Sequence, residues 1–533
     1  METAKTMSEF LENITGKADS FFTSRKMLLF ALCSGVIFVL FYMIFCNDMY
    51  RDVAFCYARY AREFGEGSWN GKAIFQLPPL HIFLGGLLVK CGVPAYGAVI
   101  SISCLFYLAT IFPLYYLLKR FLSDRLAALG CILFIFAPRL IRFSGMALLE
   151  PGRDFFLILA VWMIFRILDE PEKLRYAAFA GFAMGGMVLA RGEGIMLALL
   201  LQILLIIYLV IDSCKGRKNP FRYVIAPWAV MILALLLVLT PRLIETWHLS
   251  GYPVPDGRIL RLLQVENDLI QRPTEEQRAA AVFSAKDEIM DGNALDVVVP
   301  FNAAQLNSFF SNVARGAYEL YLFLAVVGSI LLLRRREWKR EFTFIWLFIL
   351  ILLPGFYKIC FSYRYFIFMI PLLMVFTLTG LKFFADLAGK IPGKWGRICF
   401  PVLIAACLIA QAVNGVSYVF RSERRENRKA VAWLHENRTR LLFEGQSGKL
   451  KILSPDYTLV FLADEEPAID FGDIPPSLEM CKSFNAVLIH RKMSDTLARF
   501  RRDPEMVEET GFPAKNFILF RPAKEKNLPA PEK

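Results

Sequence analysis

The sequence predicts a mostly helical, polytopic membrane protein with a small α/β domain at its C-terminus. Three observations carry this expectation. Of 533 residues, 56% are hydrophobic and the mean hydropathy is +0.46, well outside the composition of ordinary soluble domains. Apolar runs near or above ~18 residues recur between residues 27 and 420, each close to the length a bilayer requires. Beyond residue 420 the pattern changes to short apolar strands separated by polar and helical segments, which reads as a small α/β unit.

Residues 1–26 are polar and mixed in charge, and no cleavage-type site follows the first apolar run. They are expected to be a cytoplasmic segment ahead of a retained span. The spans of the domain 27–420 fall at Met27–Cys46, Gly97–Leu118, Arg125–Ile141, Pro151–Leu168, Leu174–Ala190, Gly194–Asp212, Tyr223–Trp247, Val313–Leu333, Glu341–Ile359, Tyr365–Ala385 and Ile398–Phe420, about eleven in all. Pro78–Gly92 offers only about a dozen apolar residues, more typical of a re-entrant or interfacial piece. The positive-inside rule decides its placement. If it does not cross, the Lys/Arg-rich loops Lys119–Arg125, Glu170–Arg175, Lys215–Arg222, Arg334–Arg340 and Lys390–Arg397 all face the cytoplasm with the N-terminus. The residues of chemical interest and the domain 421–533 then face outward together.

The net charge of +13 does not indicate nucleic acid as a partner, because the basic residues lie in short clusters between apolar runs. Most of the eleven cysteines sit inside those runs without metal-type spacing, so no disulfide framework is expected. The tail holds a helix in AVAWLHENRTRLL and strands in KILSP, LVFLAD, NAVLIHR and FILFRP. It has no glycine-rich nucleotide fingerprint. The long outer loop 248–312 suggests a helix from about Ile259 to Met290.

The first outer loop, 47–96, opens with Asp48, Arg51 and Asp52. Val53, Tyr57, Tyr60 and Phe64 follow at helical spacing, as in a helix lying on a membrane surface. Asp52 is either a general base or an N-cap. Arg51 tunes it, binds phosphate or meets lipid headgroups. Glu150, in ALLEPGRD with Arg153 and Asp154, either binds sugar hydroxyls or favours a helix N-terminus. Arg191 and Glu193 in a short outer turn, and Arg364 in FSYRYFIF, are either a phosphate clamp or interfacial ion pairs and snorkelling groups. A lone histidine after two prolines, His81, is more often structural than catalytic.

Taken in order, RDVAFCYARYAREFGEGSW…LPPLH, LLEPGRDFFLILAVW, VLARGEGIML and SYRYFIFMIPLL resemble four successive signatures of the family 39-like glycosyltransferases. These enzymes have the GT-C fold and are relatives of the protein O-mannosyltransferases and the lipid A aminoarabinose transferases. The resemblance spans roughly residues 27–385. It implies transfer of a sugar from a polyprenyl-phosphate donor to a lipid, glycan or protein acceptor at the outer face of a bacterial cytoplasmic membrane. Asp52 matches the acidic residue of the first loop, Arg364 the arginine of the RY motif, and Arg191 and Glu193 the outer RxEG turn. Substrate contacts are further expected from Arg51, His81, Glu150 and Asp154. No cofactor is certain, and a divalent cation is compatible with the acidic set. Two departures stand out: Arg51-Asp52 replaces the adjacent acids of several members, and Gln76-Leu77 stands where some carry a lysine before the two prolines.

Two other classes compete. A transporter or flippase would carry ionisable residues or broken spans near the midplane, and none is evident. An O-antigen ligase or polymerase also has many spans and large outer loops, but the acidic loop directly after the first span favours the glycosyltransferase.

Overall fold

The computed structural model describes residues 23–45, 53–262, 303–442, 450–454, 466–470, 481 and 484–523, except 70, 73, 217–218, 360–362, 391–393, 421 and 515. A first long apolar helix, α1 (Ser24–Phe45), packs on the bundle through its small residues, with Ala31, Ser34 and Gly35 buried. The first loop follows as a π-helix at Val53–Ala58 that runs directly into α2 (Arg59–Gly65). The expected apolar face is real but differently built: Val53, Tyr57, Ala58 and Ala61 are buried, while Tyr60 and Phe64 are only partly so. The small alanines allow this short segment to press into the protein rather than merely rest on a surface.

The next element, α3 (Leu80–Lys90), has 11 residues. At ~1.5 Å per residue it cannot cross a bilayer, as the loop assignment requires. It lies tightly against α2. A Cβ on Gly65 would sit 2.3 Å from Val89 Cγ1, and one on Gly86 would sit 2.2 Å from Phe64 Cδ1. Paired glycines thus let the two helices approach more closely than any side chain would permit.

Helices α4 (Ala95–Ala109) and α5 (Ile111–Lys119) form one continuous apolar rod. The expected single span over 125–141 is instead α6 (Asp124–Phe136) and α7 (Pro138–Gly145), bent by 55°. Pro138 lacks an N–H and biases Ala137 toward extended backbone, seen at ψ 116°. Then come α8 (Glu150–Asp169), α9 (Leu174–Ala190), α10 (Gly194–Gly216) and α11 (Ala226–Ser250), the last ended by Gly251 at φ 77°. Of the long loop 248–312, residues 248–262 and 303–312 are described, and α12 (Arg258–Leu262) lies in the first of these stretches. The remainder of the helix expected over 259–290 lies outside the described residues.

The span expected at Val313–Leu333 is likewise two helices, α13 (Ala303–Ala317) and α14 (Glu319–Arg334), at 87° to each other. Tyr318 between them has φ 63°. Three further helices complete the bundle: α15 (Arg340–Ile359), α16 (Met369–Gly389) and α17 (Lys394–Ser417). Among the described residues, five helices meet the length and apolarity of a membrane span unaided, and up to seven do if each bent pair is one span. Of the other expected spans, α8 carries the charged residues Glu150, Arg153, Asp154, Arg166 and Asp169, and α9 has 17 residues, short of a full span.

The C-terminal unit begins at α18 (Ser422–Leu441). Its sheet contains β1 (Lys451–Ser454), β2 (Glu466–Asp470), β3 (Ala486–His490), β4 (Met506–Glu508) and β5 (Phe517–Pro522), in the order β2-β1-β3-β5-β4. The first three strands are parallel, and β5 and β4 join antiparallel. Helix α19 (Ser494–Arg502) buries Leu497 and Phe500 between β3 and β4 in sequence. Three of the four expected strands are present; LVFLAD lies outside the described residues, and β2 and β4 were too short and polar to stand out. Eight of the described cysteines stand outside any disulfide.

Candidate active site

A buried charge cluster forms where the N-terminal end of α8 meets the turn between α9 and α10. Glu150 and Arg153 are fully buried, and Asp154 is 1% exposed. Pro151 fits the first turn of α8, where a missing N–H costs nothing. Carboxylates there also face the positive end of the helix dipole. The RGEG turn holds Arg191 and Glu193 across from them, because α9 and α10 are joined by too few residues to separate.

Two guanidiniums converge on one carboxylate oxygen. Arg191 Nη1 lies 2.6 Å and Arg364 Nε 2.9 Å from Glu150 Oε1. Arg364 arrives on the 3-10 turn Tyr363–Phe366, between α15 and α16. Arg153 donates to Asp154 at 2.9 Å and to Glu193 at 3.1 Å, and its guanidinium lies over the Phe368 ring. Arg191 also donates to Glu193 and lies over the Tyr365 ring, 5.2 Å from its centroid. Burial works against ionisation of Glu193, yet Arg191 and Arg153 outweigh it and hold its carboxyl below the ordinary 4.5.

Part of this buried set is left unmatched. Glu150 Oε2, Asp154 Oδ2 and both ring nitrogens of His81 have no hydrogen-bond partner among the described residues. His81 is fully buried and rests against Gly152, where a Cβ would lie 2.7 Å from its Cε1. The ring therefore occupies the space that any other residue at 152 would fill.

The structure thus brings together His81, Glu150, Asp154, Arg191, Glu193 and Arg364. The remaining two candidates, Arg51 and Asp52, lie outside the described residues. The π-helix that follows them carries Tyr57, which is buried in the vicinity of Arg191 and Arg258. Among the described residues, no group of three or more His, Cys, Asp or Glu side chains is arranged to hold a metal ion.

Several residues here escaped the sequence reading. Asp256 and Arg258 form an ion pair of 2.6 Å against Gly192, at which a Cβ would lie 2.3 Å from Asp256 Oδ2. The available signal was the turn-forming Pro255-Asp256-Gly257 in an otherwise polar loop. Arg242 is 3% exposed and donates to the carbonyls of Ile74 and Phe75, both at 2.9 Å, which fastens the first loop to α11. Trp69 adds a bond of 2.5 Å to Glu245. Arg153 ties α8 to both the RGEG turn and the Tyr365 carbonyl, a role that its neighbours in ALLEPGRD do not signal.

Comparison with known proteins follows the same outline. Residues 76–244 match the family model described as dolichyl-phosphate-mannose-protein mannosyltransferase. This segment includes His81, Glu150, Asp154, Arg191 and Glu193. No curated protein matches the chain in sequence. Among solved structures, ArnT from Cupriavidus metallidurans, bound to undecaprenyl phosphate, aligns with a TM-score of 0.57 at 12% identity, over 94% of this chain and 99% of that one. The apo oligosaccharyltransferase of Archaeoglobus fulgidus gives 0.47 at 13% identity, over 87% and 70%. The arabinofuranosyltransferase AftD from Mycobacteria gives 0.44 at 14%, over 93% and 40%. Only the first of these is similar enough to carry weight, and it shows a shared fold. The resemblance seen in the four motifs is therefore matched by the architecture: this is an integral membrane protein with the GT-C glycosyltransferase fold, and its residues 76–244 match the family model described as dolichyl-phosphate-mannose-protein mannosyltransferase.

Proposed function

We propose that the chain transfers a sugar from a polyprenyl-phosphate-linked donor to a lipid, glycan or protein acceptor, in a single displacement with inversion at the anomeric carbon. One observation carries this reading: two arginines share one oxygen of a fully buried glutamate while its other oxygen and the neighbouring His81 ring go unmatched. A buried polar group without a partner costs ~1–3 kcal/mol. A cluster that keeps several in one place is arranged for groups that a ligand supplies.

The chemistry follows from those groups. A sugar hydroxyl can donate to Glu150 Oε2 or Asp154 Oδ2. Arg191 and Arg364 already point at one site, and the oxygens of a phosphate accept from guanidinium forks in the same geometry. As the glycosidic bond breaks, the phosphate oxygen takes on the bond's electron pair, and cations fixed beside it favour that transition state. Asp52, five residues before Tyr57, takes the acceptor's proton as the new bond forms. Arg51 and His81 complete the substrate contacts. The undecaprenyl phosphate bound to ArnT supports a lipid-phosphate donor. The transferred unit is a hexosyl or pentosyl group.

The positive-inside pattern supports a cluster and a C-terminal domain on the outer side of a bacterial cytoplasmic membrane. In this reading the domain from 421 supports the enzyme or meets its acceptor. Single cysteines at Lys215 and Glu466, probed with an impermeant label, should report opposite sides. The reaction itself is tested by incubating the purified full-length chain with labelled polyprenyl-phosphate sugars and candidate acceptors. Label should move to an acceptor with release of polyprenyl phosphate. Sugar carried intact across sealed vesicles, with no transfer, would favour a transporter.

A further inference from the structure

At the far end of α8 from the buried cluster, α5, α8 and α9 enclose a cavity of about 750 Å³. Four cations line it, Lys119, Arg120, Arg166 and Arg175, and no acidic residue does. Its apolar wall is aromatic. Tyr116 stacks on Trp162 with centroids 5.1 Å apart, and Phe112 meets both rings edge-on. Phe112 and Phe179 are more than half exposed. For a membrane-spanning bundle, that wall opens to lipid.

The cations are not equally occupied. Lys119 pairs with Asp124, and Arg120 with Asp169 and Glu341. Arg166 pairs with Glu170 at 3.0 Å. Among the described residues, Arg175 has no carboxylate within ion-pair distance. Instead Arg166 and Arg175 both donate to the Tyr176 hydroxyl, at 2.8 and 3.2 Å, and both guanidiniums lie over its ring, at 4.9 and 5.0 Å. One phenol thus gathers two like charges with a single carboxylate between them. An anion beside that hydroxyl would relieve the repulsion.

We propose that this cavity binds an anionic glycerophospholipid, with its phosphate between Arg166 and Arg175 and an acyl chain along the Phe112–Trp162–Phe179 wall. A guanidinium pair suits a phosphate's oxygens, and basic pockets between spans recognise anionic headgroups. The volume lies within the range of small-ligand sites, ~300–1,000 Å³. A free anion would use the charges but not the aromatic wall that continues to the lipid-facing surface. A lipid seated there would tie α5 to α8 and α9. This site rests on the membrane-spanning fold and is independent of the glycosyl transfer proposed above, so either can fail alone.

The test uses the purified full-length chain in neutral detergent, followed by native mass spectrometry. Phosphatidylglycerol and phosphatidylcholine of identical acyl chains are added in parallel. Phosphatidylglycerol should be retained preferentially, and Arg175→Gln should weaken its retention on the order of tenfold, the loss of one charge-assisted hydrogen bond. Arg175 is exposed, so this change leaves the fold intact, and Arg175→Lys should recover part of the binding. Equal retention of the two lipids overturns the proposal, as does unchanged retention in Arg175→Gln. Displacement of phosphatidylglycerol by inorganic phosphate would make this a site for a free anion. Displacement by polyprenyl phosphate would make it a second donor site. Either result replaces the assigned occupant.

Discussion

At the N-terminal end of α8, Glu150 and Arg153 are fully buried and meet partners from two other segments, the RGEG turn and the turn that carries Arg364. At its C-terminal end, Asp169 is 31% exposed and belongs to a chain of ion pairs joining Arg120, Glu341, Arg340 and Asp212. Both clusters fasten helices distant in sequence. Only the first includes buried atoms that have no partner among the described residues. Fastening helices does not require full burial, since in the second network only Glu341 is buried and Asp169, Arg340 and Asp212 are about a third exposed. Removing charges from water carries a penalty of several kcal/mol per ion. A cluster that bears the penalty and still leaves groups unmatched is built for something other than holding the bundle together.

The comparison can be broken at several points. The largest effect should come from Asp52→Asn, which keeps size but removes the base. Turnover should fall ~10²–10⁴-fold while donor binding persists. An N-cap role predicts near-normal turnover instead, because Asn caps as well as Asp; that outcome would redirect the search to Asp48 and Glu150. Next is Arg153→Ala. It leaves Asp154 and Glu193 without their shared cation, and breaking a buried pair costs ~3–5 kcal/mol. Thermal unfolding in detergent should register that loss.

Arg191→Lys retains charge but loses the fork geometry. Donor affinity, measured by titration with polyprenyl phosphate, should drop and stay below wild type; full affinity would remove Arg191 from the phosphate contact. Acid sharpens the contrast further. Glu193 is held below its ordinary value. Its contribution to stability is therefore complete above about 4.5 and disappears as pH falls through the lower folded value. A Glu193→Gln variant should show a flatter loss of stability over that acid range. The smallest effect belongs to Arg340→Ala in the exposed network, where each pair is worth ~0–1 kcal/mol and is screened by salt. If Arg340→Ala proves as damaging as Arg153→Ala, the distinction between the two ends collapses.

Much of this was legible in the sequence, for identifiable reasons. Long apolar runs announce spans because the bilayer sets their length, and Pro78–Gly92 was too short to pass. Glu150, Arg191 and Arg364 stood out because charges beside apolar runs are expensive. Their partnership did not, since Arg364 meets Glu150 across 214 residues and no local pattern encodes such a contact. Likewise Asp256 and Arg258 sat in a loop whose neighbours were uninformative. The kinks at Pro138 and Tyr318 differ in their signal: Pro138 marks a break in the sequence itself, whereas nothing in the local sequence marks Tyr318 for its positive φ. In the tail, β4 has three residues, too few to show alternation.

The glycines at 65 and 86 have a consequence for how substrates are met. Because α2 interlocks with α3 at those two positions and Arg242 clasps the connecting carbonyls, residues 53–90 are braced as one body before any ligand arrives. A loop that had to settle around its substrate would lose conformational freedom at each encounter, and that loss would be subtracted from affinity. Here the ordering is completed during folding. A single methyl group at Gly86 would act as a wedge, returning that disorder to the binding step without touching one atom of the charged cluster.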